Sequence, residues 1–208
     1  MAASIPLSPQ NWQETLERTL KELMKTQKQV VFCITGKSGS GKSTLGKKIR
    51  KEGLGSISRR QIAVVDDSIL AVPFLGIFTR RIKSKSLERD NLAPFEHWLR
   101  KKKLVIYVNV SPHKRLDRCD VILRLRCPEE VRRVRLINRE KGGEARFLRT
   151  VHSSDDIQIE ADHVFDLCLV ETHGRAPLAW EPSAQAALSV LNWASLPLSG
   201  LAVSWLAS

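Results

Sequence analysis

Residues Gly36-Lys37-Ser38-Gly39-Ser40-Gly41-Lys42-Ser43 fill every fixed position of the pattern G-x-x-x-x-G-K-[ST], and Thr44 follows at once. Before them runs Val30-Val31-Phe32-Cys33-Ile34-Thr35, apolar, partly β-branched and of strand length. After them Leu45-Gly46-Lys47-Lys48-Ile49-Arg50 continues as the start of an amphipathic helix. Strand, glycine loop and helix in that order form a cradle for phosphate. Glycine lets the backbone turn tightly and bring several N–H groups close to one anion, where a Cβ would intrude. The opening turn of the helix adds unpaired donors and the positive end of its dipole. Residues Gly36 to Thr44, including Lys37, Ser38, Gly39, Ser40 and Gly41, are therefore the expected nucleotide-binding set. Within it Lys42 reaches the β- and γ-phosphates, and the Ser43 hydroxyl suits Mg²⁺, which prefers oxygen ligands.

With 208 residues, 42% hydrophobic and 27% charged, the chain is expected to be one folded domain with a real core, neither disordered nor fibrous. The net charge of +12 is divided unevenly: residues 1–150 carry +18 and residues 151–208 carry −6. A basic field around a phosphate loop favours nucleotides, phosphorylated metabolites and nucleic acids without choosing among them. Cys33, Cys119, Cys127 and Cys168 form no C-x-x-C pair and are expected to be reduced core residues. The five histidines show no metal-ligand spacing. Met1 to Pro9 lack a charged and apolar leader pattern, so a cytoplasmic protein is expected.

Periodicity orders the rest. Asn11 to Lys28 carries Trp12, Leu16, Leu20, Leu23 and Met24 at helical spacing. Residues 61–65, 104–110 and 121–127 are apolar runs of strand length, and Pro128 opens a helix from Glu129 to about Glu140. Alternation of such strands with helices predicts an α/β fold, a parallel β-sheet flanked by helices. Ligands of such sheets lie at the carboxyl ends of strands, which here present the glycine loop, Asp66-Asp67, Asn109 and the region after Cys127. From Pro182 to Ser208 the chain carries no formal charge, but polar residues interrupt it, so a packed helix and tail is expected in place of a membrane anchor.

Two further constellations carry chemistry. Phosphoryl transfer to a hydroxyl needs one carboxylate to take its proton and another oxygen near Mg²⁺. Asp66 and Asp67 offer both, with Asp67 the expected base and Asp66 its alternate or the metal-side ligand beside Ser43; a turn at Asp-Asp-Ser is the competing reading. Arg132, Arg135 and Arg139, spaced i, i+3 and i+7, share one helical face. Followed by Lys141-Gly142-Gly143, they fit a mobile lid that closes over a transferring phosphoryl group.

The ordered set GKSGSGKST, VVDDS, a strand and then CPEEVRRVRLINRE resembles the P-loop kinases of the uridine kinase and phosphoribulokinase type, and more loosely dephospho-CoA and nucleoside monophosphate kinases. The resemblance spans residues 30 to about 170 and implies a P-loop NTPase fold. It places the catalytic carboxylate at Asp67 and the lid role on Arg135 and Arg139, less directly on Arg132. Ala161-Asp162-His163-Val164-Phe165-Asp166 is similar to the late Ala-Asp strand of these kinases. Ile69 and Leu70 stand where aromatic residues follow the family's Asp-Ser, and Asn109-Val110 stands where Glu-Gly is usual. The implied organisation is a leading helix over 1–29, a kinase-like domain over 30–175 and an uncharged helix or tail over 176–208. The implied activity is ATP- and Mg²⁺-dependent phosphotransfer to a nucleoside, nucleotide or phosphorylated metabolite. A nucleic-acid-binding regulatory NTPase and a polynucleotide 5′-hydroxyl kinase are the alternatives, with Arg80, Arg81, Lys83 and Lys85 placed to hold an anionic acceptor.

Overall fold

Each buried strand of this protein alternates its side chains between two apolar layers, and that alternation fixes the architecture. A computed structural model describes residues 3–66, 69–74, 78–83, 96–114, 116–139, 143–151 and 159–169, all within one unit spanning residues 1–171. The strands are β1 (Ser4–Leu7), β2 (Val30–Thr35), β3 (Ile62–Asp66), β4 (Ile69–Phe74), β5 (Phe78–Lys83), β6 (Leu104–Val108), β7 (Arg118–Arg126) and β8 (Glu160–Cys168). The helices are α1 (Trp12–Thr26), α2 (Lys42–Glu52), α3 (Glu96–Leu99), α4 (Glu129–Arg139) and α5 (Gly143–Val151). One sheet of order β1-β8-β7-β2-β6-β3-β4-β5 results. Its pairings are parallel except the two made by β4, which is antiparallel to β3 and β5. The protein thus has an α/β fold on a mostly parallel sheet flanked by helices.

On one face of the sheet Phe32, Ile34, Val64, Ile106, Leu123 and Phe165 meet Leu16 and Leu20 of α1 and Leu45 and Ile49 of α2. On the other face Ala63, Val65 and Val105 meet Leu99 of α3, while Cys33, Cys119, Ile122 and Val164 form a second cluster. Register is pinned where β2 enters the sheet. Gln29 Nε2 donates to the Leu99 and Lys102 carbonyls at 2.7 and 2.8 Å, and the Val31 N–H donates to Asp120 Oδ2 at 2.6 Å.

The expected strands and helices are present with ends moved by one to three residues, as where β7 begins at Arg118 and β6 stops at Val108. The edge strand β1, the β4–β5 hairpin, α3 and α5 have no counterpart in the sequence reading. The expected C-terminal helix or tail over 176–208 lies outside the described residues. No helix among the described residues is long and apolar enough to cross a membrane.

The β7–β8 pair is tied by charge as well as backbone. Arg124 Nε donates to Asp166 Oδ1 at 2.5 Å and Arg124 Nη2 to Oδ2 at 2.7 Å. Burial alone raises the Asp166 carboxyl, but hydrogen bonding and charge from Arg124, with Arg126 and Ser4 adding to them, hold it below its ordinary value. A carboxyl lowered on folding contributes stability above its unfolded pKa of about 3.9, and that stability is lost as pH falls through the folded value. Asp166→Asn is therefore expected to melt below the wild type at pH 7, and the gap should close as pH drops below 4 toward the folded value. Melting curves across that range check it, and a gap independent of pH would remove the ion pair as the cause.

Candidate functional site

The glycine loop sits between the carboxyl end of β2 and the first turn of α2, and its path depends on residues without a Cβ. Gly36 has φ 134° and Gly41 φ 101°, both in the region that L side chains rarely adopt. A Cβ on Gly36 would lie 2.4 Å from the Leu125 carbonyl oxygen of β7. The loop is therefore pressed against the neighbouring strand by a contact that only glycine permits.

Lys42 opens α2 with its side chain folded back into the loop. The residue is 7% exposed, and Nζ donates to the Lys37 carbonyl at 2.9 Å. Ser43, the next residue, donates from Oγ to Asp66 Oδ1 at 3.1 Å. Asp66 ends β3, two places from β2 in the sheet, so the parallel order brings the hydroxyl and the carboxylate together. A hydroxyl and a carboxylate at the mouth of an N–H-rich loop are the oxygen donors that Mg²⁺ prefers when it is shared with a phosphate. Among the described residues no cluster of three or more His, Cys, Asp or Glu side chains could hold a metal by itself.

Helix α4 closes the loop from the other side. Arg135 Nη1 donates to the Gly39 carbonyl at 3.3 Å and to Cys127 Sγ at 3.6 Å. Arg139, one turn further, is exposed. Arg132 departs from the expected lid role: it is 1% exposed, and its guanidinium faces the Ser38 carbonyl, Glu129 and Thr150. It cannot be a solvent-facing phosphate ligand. The expected mobile turn after Arg139 corresponds at Gly143 to the start of α5, which packs on α4 through the Arg133–Glu144 ion pair at 2.9 Å. Lys141 and Gly142 lie outside the described residues, as do Asp67, the expected base, Ser68 and Lys85.

A cavity of about 280 Å³ opens beside the loop on the β7–β8 side, lined by Lys37, Ser40, Cys127, Pro128, Glu129 and Cys168 among others. Ser40 is 6% exposed, and its Oγ has no hydrogen-bond partner among the described residues. Two cysteines expected in the core are here instead: Cys33 and Cys119 are buried, whereas Cys127 and Cys168 are half-buried at the cavity. Burial pushes the Cys127 thiol up to about 11 against the pull of Arg135. Asn109, expected to face a ligand, uses Oδ1 to accept the Ser111 N–H at 2.9 Å and shapes the turn after β6.

Glu129 was not anticipated as a site residue. Its carboxylate accepts from Lys37 Nζ at 3.1 Å and pairs with Arg132, while Lys37 Nζ also donates to the Val151 carbonyl of α5 at 3.2 Å. The signal available in sequence was the i, i+3 spacing of Glu129 and Arg132 just after Pro128.

Compared with known proteins, the chain matches no family model and no curated protein sequence. Gly36→Ala is expected to destabilise the protein by about 2 kcal/mol or more, because strained φ and the Leu125 contact act together. Urea unfolding of the variant measures this, and a loss near zero would show that the loop can relax away from β7.

Proposed function

We propose that the protein is an ATP-dependent phosphotransferase with a P-loop NTPase fold of the nucleoside monophosphate and uridine kinase type. Its acceptor is a nucleoside, a nucleotide or a phosphorylated small metabolite. The observation that carries this reading is the pairing of Ser43 Oγ with Asp66 Oδ1 at 3.1 Å, beside a glycine loop that already contains Lys42. A structural loop has no need of that hydroxyl, carboxylate and ammonium at one helix N-terminus.

On this reading the loop N–H groups and the α2 dipole bind the triphosphate. Lys42 leaves the Lys37 carbonyl for the β- and γ-phosphates. Ser43 and Asp66 supply protein oxygens for Mg²⁺, which when bound neutralises charge on the phosphates. The acceptor oxygen bonds to the γ-phosphorus as the bond to the β,γ-bridging oxygen breaks. The proton passes from the acceptor to a carboxylate at the end of β3, Asp67 by the family resemblance or Asp66. Arg135, already against Gly39, stabilises charge on the transferred group, with Arg139 one turn behind it. The cavity on the β7–β8 side takes the remainder of the nucleotide, which leaves the β3 side for the acceptor.

A second reading is favoured by the β4–β5 hairpin. Asp66 pairs with Ile69, and Ile69 pairs with Lys83, so one line across the sheet joins the end of β3 to a basic edge strand. Arg80 on that strand is exposed, and Arg81 precedes Lys83 at register with Ala71. Two strand spacings, about 10 Å, separate Asp66 from Lys83, a span suited to an oligonucleotide whose 5′-hydroxyl reaches Asp66 while a phosphate lies on the edge.

Calorimetric titration with Mg²⁺ and ATP should give binding that falls about 10- to 100-fold in Lys42→Met. In Asp66→Asn the dependence on Mg²⁺ should weaken. Labelled ATP with nucleosides, phosphorylated metabolites and oligonucleotides identifies the acceptor. Transfer to oligonucleotides with steeply salt-dependent affinity selects the second reading. No nucleotide binding by the wild type would overturn both.

A further inference from the structure

Three successive carbonyls of the glycine loop each accept a hydrogen bond from a different cationic side chain. Lys37 accepts from Lys42 Nζ at 2.9 Å, Ser38 from Arg132 Nε at 2.9 Å and Gly39 from Arg135 Nη1 at 3.3 Å. In a trans peptide the C=O of one residue and the N–H of the next point in opposite directions across a rigid plane. The described residues contain no cis bond. Holding the Ser38 carbonyl on Arg132 therefore turns the Gly39 N–H the opposite way, toward the side that an anion would occupy, whereas the Ser40 N–H is donated to the Lys37 carbonyl at 3.2 Å.

The three cations differ in how firmly they are held. Lys42 is a flexible ammonium, and Arg135 makes a longer contact. Arg132 is enclosed on every side: Nη1 pairs with the Glu129 carboxylate, Nη2 donates to Thr150 Oγ1 at 3.0 Å, and the guanidinium lies over the Phe147 ring at 5.8 Å. Its rigid fork spends each arm on a different element, one on the loop, one on the first turn of α4 and one on α5. To move toward a phosphate it would have to break all three and leave its own buried guanidinium without partners.

We propose that Arg132 is a positioning residue: it fixes the Ser38–Gly39 peptide with its N–H turned to the bound anion, and through Thr150 it makes α5 part of the phosphate site. The proposal rests on the nucleotide reading above. Arg132 itself touches no phosphate. Lys42 and Arg135 exchange their loop carbonyls for phosphate oxygens when the anion arrives, and Arg132 keeps the cradle shaped while they do so.

The test uses the full chain, with inorganic triphosphate and Mg²⁺–ATP as probes in calorimetry and thermal melting to report folding. Arg132→Met should bind triphosphate about 30-fold more weakly while still melting cooperatively. Arg132→Lys, which restores a cation at the Ser38 carbonyl, should recover most of that loss. Thr150→Val removes the remote end of the strut, together with the Thr150 Oγ1 hydrogen bond to the Phe147 carbonyl at 2.9 Å, and should weaken binding about threefold. That loss should vanish when the Met substitution is already present. Wild-type affinity in a folded Arg132→Met, no recovery by Arg132→Lys, or an effect of Thr150→Val that simply adds to that of Arg132→Met would each overturn the proposal. Should Arg132→Met fail to fold, unchanged affinity in Thr150→Val overturns it alone. If the wild type binds neither probe, the nucleotide reading fails and the proposal falls with it; binding by the wild type with unaffected variants removes only the role of Arg132.

Discussion

The molecule is organised around a piece of irregular backbone, residues 36–41, held in a half-buried position where no ladder or helix can satisfy its polar groups. Such groups are costly unless paired, and the pairing here is supplied by cations. Lys42, Arg132 and Arg135 take three consecutive carbonyls, while Lys37 reaches out of the loop to Glu129 and to the end of α5. The position of α4 follows from this need. Its first turn must stand over Ser38 and Gly39, which the tight β2–β7 pairing and the bare Gly36 allow by bringing Leu125 against the loop.

The same constraint gives the basic composition a more particular meaning. An excess of +18 over residues 1–150 suggests a polyanion partner by its field alone. Several of those cations, however, are occupied within the fold. Arg124 is bound to Asp166, Arg118 to Asp162 at 2.6 Å and Arg133 to Glu144, and Arg132 is enclosed. Others remain exposed, among them Lys47 and Lys48 on α2, Arg139 at the end of α4, Arg149 on α5 and Arg80 on the edge strand β5. Charged edge strands also discourage unwanted sheet pairing, so the basic hairpin fits both protection of the edge and recognition of an anion.

Much of this was legible in the chain. Val30–Thr35 reads as a strand because β-branched and apolar residues fill both faces, residues 121–127 because Val121, Leu123 and Leu125 alternate with Ile122, Arg124 and Arg126, and the glycine loop declares its turn by composition. What escaped had physical reasons. β1 is four residues long and contains Pro6, and β4 contains Pro73, both features of strands near an edge that weaken the pattern. β5 carries Arg80, Arg81 and Lys83 among its six residues, which breaks the apolar pattern of a buried strand. α5 begins at a glycine and buries chiefly Phe147, so its amphipathicity was too short to stand out. Arg132 was misassigned for a different reason. Helical spacing places it on one face with Arg135 and Arg139, but spacing cannot tell whether that face meets solvent or the loop.

The order of strands then separates the two sides of the loop chemically. Toward β3 stand Asp66 and Ser43, hydrophilic oxygens suited to a cation and to a hydroxyl that must lose a proton. Toward β7 and β8 lies a cavity with Cys127, Cys168, Pro128 and Leu125 in its wall. Because burial outweighs the nearby guanidinium and lifts the Cys127 thiol to about 11, that sulfur stays protonated at neutral pH and acts as a soft apolar surface. It is not poised as a nucleophile. Lys37, Arg126 and Glu129 flank that apolar part of the wall with charge. Ser40, whose buried hydroxyl has no partner among the described residues, offers one hydrogen bond at its edge. On the nucleotide reading the donor's base and phosphates are thus divided between two environments that one loop holds apart. On the same reading the acceptor is left to the β3 side, where the Asp66 carboxylate stands beside Ser43.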